Sequence, residues 1–354
     1  MTIASVDAGN GGVNSVVLNG KSQNVLYEPS VRAAATGSTL GLGELEVDFS
    51  WVKWNDKIYA TGDDVAKFVT KSVERHMGLN RYGDEFHQFL VANALARSGV
   101  KSGEIDLIVF APPGIYQSAR QDIIDRFMQH DGQTNIMLKG DKKYRNWSYK
   151  SVSVLPEGVG AAFAYATDDK GSFVETDALE GDVLVVDLGV KTLDILHLQD
   201  GKFNLEQLNH ATWTDGGIDS HIRQNILSKV REYSDDFSVI TVDHIDRAIR
   251  CESFEVQSGR STANIKRLYD SNRESYAMWI ANNVIDTHFD GLNGYRSVIF
   301  TGGGANMVID FMSEWYPKDK IIDQKKYSNV KKYHPSELNA VGGMRFMLFR
   351  RGNG

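Results

Sequence analysis

The segment Asp7-Ala8-Gly9-Asn10-Gly11-Gly12-Val13-Asn14 places three glycines within four positions, directly after an acidic residue. Glycines without side-chain cover leave backbone N–H groups open to close approach by a phosphate oxygen. Asn10 and Asn14 add amide donors. An aspartate beside such a loop suits Mg²⁺ held through water, because this ion gives up its waters reluctantly. The same residues also read as a plain hairpin, since Asn-Gly is the strongest short hairpin signal. A second segment, Val186-Asp187-Leu188-Gly189-Val190-Lys191-Thr192-Leu193-Asp194, repeats the order of apolar run, Asp, Gly and polar donor. Two such turns facing each other could pinch a polyphosphate, with Asp7 and Asp187 flanking a metal. A third glycine run, Gly302-Gly303-Gly304-Ala305-Asn306, follows Val298-Ile299-Phe300-Thr301. A buried strand entering such a run lets backbone lie against a planar ligand, or offers helix N-terminal amides to an anion.

The elements that must position these loops follow from hydrophobic spacing. Apolar runs at 3–7 and 13–18 predict a hairpin, and residues 23–28 a third strand. Residues 35–48, rich in Gly, Thr and Glu, predict a surface loop, and 51–59 a further strand pair. Phe86, Phe89, Leu90, Ala94 and Leu95 share one face of a helix over 84–98. A strand at 106–110 ends at Ala111-Pro112-Pro113-Gly114, with a helix expected over 118–129. Strands near 135–138 and 150–154 lead to Pro156 and a small-residue helix beginning near Glu157. The plan then restarts: a hairpin over 182–198, helices over 217–233 and 263–288, a strand at 297–300, and a last helix over 335–349. Strand, glycine turn and returning strand thus occur twice, about 180 residues apart, which predicts two related lobes of mixed sheet flanked by helices.

The chain has 354 residues, with 42% hydrophobic and 24% charged, an ordinary globular balance for two domains. Cys251 is the single cysteine, which excludes an intrachain disulfide and a multi-cysteine zinc site, and fits a reducing cytosol. Nonspecific coating of nucleic acid is not expected of a net charge of −7. Lys325-Lys326 and Lys331-Lys332, interleaved with Tyr327 and Tyr333, read as a solvated face or a filament contact, with a DNA patch as the alternative. The N-terminus MTIASVDAGNGG carries no signal-peptide pattern, and no run approaches the ~20 apolar residues of a membrane span. The expectation is a cytoplasmic protein. The nine histidines show no metal-ligand spacing.

The three glycine segments, in this order, resemble the actin, heat-shock chaperone and sugar kinase superfamily. Its order is phosphate loop one, connecting helix, phosphate loop two and adenosine loop, here spanning Asp7 to Gly304. Leu155-Pro156-Glu157-Gly158-Val159-Gly160-Ala161-Ala162 is similar to the first connecting helix of the bacterial ParM-like plasmid-segregation actins. Asn339-Ala340-Val341-Gly342-Gly343 is similar to the second. The resemblance implies an α/β, two-lobed actin-like fold, with two RNase H-like mixed-sheet domains around a nucleotide cleft. Lobe I would comprise 1–165 plus the C-terminal helix 333–354, and lobe II 166–332. It implies an ATPase, with GTP left open, in which Asp7 and Asp187 organise Mg²⁺ through water. Gly9, Asn10, Gly11, Gly12, Val13, Asn14, Gly189, Val190, Lys191 and Thr192 would grip the phosphates, and Gly302, Gly303, Gly304 and Ala305 would seat the adenosine. Glu157 would orient the attacking water; a plain first-turn capping acid is the alternative. Asp215-Gly216-Gly217 falls where chaperone relatives line the cleft, although Asp215 serves equally as an N-cap. Arg247 to Glu252 falls loosely near the adenine and ribose.

Two departures stand out. A family lysine is replaced by Asn14, and Val190-Lys191 stand where small residues are usual, with a β-branched residue resisting positive φ. Lys191 either supplies the missing cation from the opposite loop or is a solvated turn lysine. The implied output is a nucleotide-dependent head-to-tail filament that segregates plasmid DNA through an adaptor protein. A sugar-kinase-like phosphotransferase is the alternative. A chaperone is disfavoured, since a chain ending at Gly354 would lack a peptide-binding domain.

Overall fold

Two sheets sort the apolar runs. The computed structural model describes residues 2–19, 22–34, 41–42, 45–46, 49–62, 64–65, 73–204, 208 and 211–352. The larger sheet runs, edge to edge, Ser22–Pro29, Gly12–Asn19, Thr2–Ala8, Ser102–Ala111, Arg145–Pro156, Gln133–Leu138, Trp51–Trp54, Lys57–Thr61, Arg32–Ala34 and Val73–Glu74. The smaller is built on Lys202–Phe203, Leu193–Gln199, Asp182–Leu188 and Ser297–Thr301, with Thr212–Trp213 pairing the second of these. Each holds the same core unit. The hairpin Thr2–Ala8/Gly12–Asn19 lies beside the parallel strand Ser102–Ala111. The hairpin Asp182–Leu188/Leu193–Gln199 lies beside the parallel strand Ser297–Thr301. This is the mixed α/β actin-like architecture. The loop expected over 35–48 lies outside the described residues, apart from Gly41–Leu42 and Leu45–Glu46, which pair with each other.

Helices close both sheet faces. Glu85–Arg97 begins at Asp84, whose side chain accepts from the His87 N–H (2.7 Å), and buries Phe86, Phe89, Leu90, Ala94 and Leu95 as spaced. The helix expected from 118 starts earlier, at Pro113, and runs to Phe127. Pro113 opens it rather than blocking it, because the fixed φ suits a first turn whose N–H needs no partner. The helices expected over 217–233 and 263–288 each contain one π-turn, Asp219–Arg223 and Ala281–Ile285. Elements not anticipated include the helix Val242–Arg250, the hairpin Glu255–Ser258/Ser261–Asn264 and the short strands Arg32–Ala34 and Val73–Glu74.

The lobes meet through two helices whose crossing is lined by glycine and alanine. Val159–Ala166 and Leu338–Gly352 cross where a Cβ on Gly342 would lie 1.6 Å from the Gly160 carbonyl oxygen, and one on Gly160 would lie 2.3 Å from the Asn339 carbonyl oxygen. Only glycine permits that approach. Strand Asp182–Leu188 is buried on both faces. Val183 and Val185 join the core that contains these helices, whereas Leu184, Val186 and Leu188 join the core of the smaller sheet. The crossing therefore delivers the first turn of the last helix to the junction of the two hairpins.

Candidate active site

The two hairpin tips match in register. Asp7 pairs across its ladder with Asn14, and Asp187 pairs with Asp194. Asn339, 3% exposed, lies between the tips. Its amide Nδ2 donates to Asp187 Oδ2 (2.7 Å) and Asp7 Oδ2 (3.3 Å). Its Oδ1 accepts from the backbone N–H groups of Gly158 (3.0 Å) and Ala161 (3.3 Å), at the start of the first connecting helix. One side chain thus joins both aspartates to the hinge.

Glu157 completes the cluster. Its backbone N–H donates to the Ala111 carbonyl (2.9 Å), holding it at the end of strand Arg145–Pro156. The helix itself starts at Val159, after Gly158 turns the chain at φ 92°. Glu157 is therefore ahead of the helix rather than in its first turn. Its carboxylate accepts from the Tyr82 hydroxyl (3.0 Å) and faces the cleft, so the capping alternative does not describe it.

Four carboxylates, three of them buried and Asp7 half-buried, share this space. Burial, then repulsion from Asp187, pushes Asp7 up to about 7, against relief from Asn339 and Arg81. Burial pushes Asp194 up to about 7 as well, opposed by hydrogen bonds from Thr212 and Thr192. Asp187 rises to about 6 through burial, with Asn339 opposing. Glu157 is held well above the usual carboxylate range by burial and by Asp194, Asp7 and Asp187. Such a set favours either protons or a cation.

The cleft, of about 450 Å³, opens from these acids. Gly9, Asn10, Gly11, Gly12 and Asn14 line it from loop one, and Gly189, Val190 and Thr192 from loop two. None of the loop-one glycines has positive φ; what excludes side chains is contact. A Cβ on Gly11 would lie 2.1 Å from Val190 Cγ2, and one on Gly12 would lie 2.2 Å from the Tyr27 ring. Val190 itself has negative φ, so its β-branch is not strained. Gly302 does need left-handed backbone (φ 83°), and a Cβ there would lie 2.3 Å from Asp187 Oδ1.

Several expected residues lie elsewhere. Val13 is buried in the sheet. Lys191 pairs with Asp215 (Nζ to Oδ1, 2.7 Å) and does not line the cleft. The cation that grips loop one is instead Arg81, which donates to the Ala8 carbonyl and to the Gly9 carbonyl (3.0 Å). Asp215 is not an N-cap, since the following helical stretch begins after Ile218 without a side-chain cap. Gly216 and Gly217 support loop two from behind: the Gly217 N–H donates to the Lys191 carbonyl (3.2 Å), and a Cβ there would meet the Val190 carbonyl oxygen at 2.3 Å. Gly302 and Gly303 line the cleft, but the Gly304 N–H is engaged by the Leu188 carbonyl (2.9 Å) and Ala305 is buried. Asn306 and Met307 take their places. Ile249, Arg250 and Glu252 line the far end with Tyr269, while Arg247 borders an adjoining groove. The lysine cluster lies apart from the cleft, and Lys332 pairs with Asp169 (2.8 Å).

Sequence reasoning missed Arg81, Tyr82, Asp194 and Asn339 as site residues. Only Asp194 carried a readable signal, its spacing of seven from Asp187 matching that of Asn14 from Asp7.

The residues fit a metal-bound polyphosphate. The acids repel one another, a set that a cation would relieve, and Asn14 Oδ1, on the cleft wall, is buried with no hydrogen-bond partner among the described residues. Among the described residues no three His, Cys, Asp or Glu side chains are grouped so as to hold a metal ion directly. No helix among the described residues is long and apolar enough to cross a membrane.

Residues 5–160 match the family described as actin-like proteins, N-terminal domain, and residues 185–314 match the archaeal actin homologue MreB-like C-terminal family. No curated protein matches in sequence. Among solved structures, the chain is similar to a subunit of a 15-stranded ParM filament from Clostridium botulinum (20% identity, 98% of each chain, TM-score 0.73). It is also similar to an archaeal actin homologue in complex with ADP (18% identity, 99% of this chain and all of that one, TM-score 0.71). A third likeness is to Bacillus thuringiensis ParM with ATP (15% identity, all of each chain, TM-score 0.69).

Proposed function

Because the chain belongs to the actin-like proteins, we propose that it binds ATP in the cleft between its lobes, hydrolyses the γ-phosphate, and couples that step to filament assembly. The observation that carries the proposal is the Asn339 bridge, which holds the two loop-tip aspartates together beside Glu157. When bound, Mg²⁺ would supply positive charge to the polyphosphate, and Asp7 and Asp187 would hold it through water. The backbone of Gly9 to Gly12, with Gly189 and Thr192, would cradle phosphate oxygens, and Asn14 would offer its amide to them. Glu157 orients the attacking water. Geometry and charge neutralisation dominate phosphoryl transfer, so a single well-held carboxylate suffices for that part. Gly302, Gly303, Met307, Tyr269 and Ile249 offer backbone and apolar surface for the nucleoside, a lining that admits GTP as well as ATP.

Assembly is proposed from the likeness to the Clostridium botulinum filament subunit. Head-to-tail contacts of a cytoplasmic filament would carry plasmid DNA through an adaptor protein. Two measurements test this. Mg-ATP should produce a rise in light scattering that decays as phosphate is released, and Glu157→Ala should slow release by about 10²–10³-fold while still binding nucleotide. A flat trace from a protein that releases phosphate would overturn the filament. Absence of nucleotide binding would overturn the cleft assignment.

A further inference from the structure

We propose that Tyr82, which ends the short turn Leu79–Arg81, is the positioning residue for Glu157, and that this turn sets the water-orienting carboxylate in register with loop one. The inference rests on the ATPase reading given above and adds a residue to it.

Glu157 sits in an irregular stretch between a strand end and the Gly158 turn, where secondary structure does not fix its side chain. A free glutamate side chain has rotamer entropy to lose on being held, so a partner that fixes it beforehand favours the productive geometry. Its Oε1 accepts from the Tyr82 hydroxyl at 3.0 Å, the one hydrogen bond to this carboxylate among the described residues. Both side chains line the cleft, with Tyr82 5% exposed and Glu157 8%. Burial holds the Tyr82 phenol well above its ordinary range, so the hydroxyl stays a donor. With one oxygen so engaged, Oε2 is the atom left for a water.

The turn is itself tied to loop one. Arg81 donates to the Ala8 and Gly9 carbonyls, and the Gly78 N–H donates to Asn10 Oδ1 (3.1 Å). Arg81 and Tyr82 are consecutive, so the residue gripping the phosphate loop and the residue gripping Glu157 move together. A shift of loop one is thereby passed to the carboxylate that must meet the γ-phosphate. The Tyr82 ring is fixed independently, edge-on to His87 with centroids 5.5 Å apart, so deleting the hydroxyl leaves its packing in place.

The experiment compares single-turnover hydrolysis of Mg-ATP, protein in excess, with the Kd of a fluorescent ATP analogue. It uses the native chain, Tyr82→Phe, Glu157→Ala and the double variant. We expect Tyr82→Phe to slow hydrolysis by about 10- to 100-fold, the scale of a misplaced catalytic group, with Kd within about threefold. In the Glu157→Ala background the same change should alter the residual rate less than about twofold, the non-additivity of residues acting as one unit. Hydrolysis by Tyr82→Phe within about twofold of native, or an equal loss in both backgrounds, overturns the assignment of Tyr82 alone. A native chain that binds nucleotide without releasing phosphate overturns the ATPase reading, and this inference with it.

Discussion

The two phosphate-loop hairpins share one backbone plan and carry opposite electrostatics. In each, a strand-tip aspartate faces the residue seven positions on, Asp7 opposite Asn14 and Asp187 opposite Asp194. Loop one has a neutral partner and a buried guanidinium, Arg81, against its carbonyls. Loop two has a second carboxylate, held by the Thr212 hydroxyl (2.5 Å), which in turn accepts from the Gly114 N–H of lobe I (3.0 Å). Like charge therefore accumulates on the loop-two side, with compensation on the loop-one side. The difference identifies what repetition alone conceals: the fold supplies two similar cradles, each with an aspartate at the cleft, and single residues behind them make one neutral and the other acidic.

The sharpest way to break that asymmetry is Asn14→Asp, which gives loop one the residue loop two already has. A further buried carboxylate would then face Asp7, with no threonine pair to hold it. Affinity for Mg-nucleotide should fall about 100-fold, or about 2.7 kcal/mol, in a fluorescent-nucleotide titration. Unchanged affinity would mean that the neutrality of Asn14 does not distinguish the loops.

The converse change, Asp194→Asn, should stabilise the nucleotide-free protein by about 1–3 kcal/mol at pH 8, measured by urea unfolding. The amide keeps an acceptor for Thr212 and removes a charge. The sign follows from a folded-state value of about 7 against an ordinary 3.8. The folded state binds the extra proton, so this group's contribution is most favourable at low pH and is lost as pH rises through 7. From pH 8 to 6.5 the native apo protein should gain stability, and Asp194→Asn should flatten that slope. Below 6.5 His87 acts the other way. Burial holds it down to about 3, so its neutral form supports folding above 6.5 and that support is lost as pH falls toward 3. A slope unchanged by Asp194→Asn would remove Asp194 as the source of the acidic strain.

How much of this was legible in the sequence depends on whether the signal was local. Asp7, Asp187 and the glycine runs could be read as candidates because a strand end followed by small residues is a pattern in consecutive positions, whereas Glu157 entered only through the likeness of residues 155–162 to a connecting helix. The fold was legible for the same reason, repeated once per lobe. Arg81, Tyr82 and Asn339 act across 72, 75 and 332 positions on Gly9, Glu157 and Asp7, and nothing in their neighbours marks them. Lys191 left two readings open, a phosphate contact or a solvated turn lysine, and what separates them is Asp215, twenty-four positions on, which pairs with it outside the cleft lining. The helix Val242–Arg250 escaped notice because only Ile245, Ala248 and Ile249 form its buried face.

Gly11 gives the smallest and most local test of the two walls. Its negative φ would suit any residue, so turn geometry does not demand glycine there. What demands it is Val190 of loop two, whose Cγ2 would lie 2.1 Å from an added Cβ. The loops touch, and a methyl group on one must displace the other. Gly11→Ala should therefore widen the phosphate cradle and weaken Mg-nucleotide binding by about 10-fold, or about 1.4 kcal/mol, with little change in folding stability because a valine rotamer can yield. Val190→Ala in the same chain should recover most of that loss, since it removes the atoms in conflict. If the double variant binds no better than Gly11→Ala alone, the glycine serves the phosphate directly and not the contact between loops, and the two walls set their spacing by some other pair.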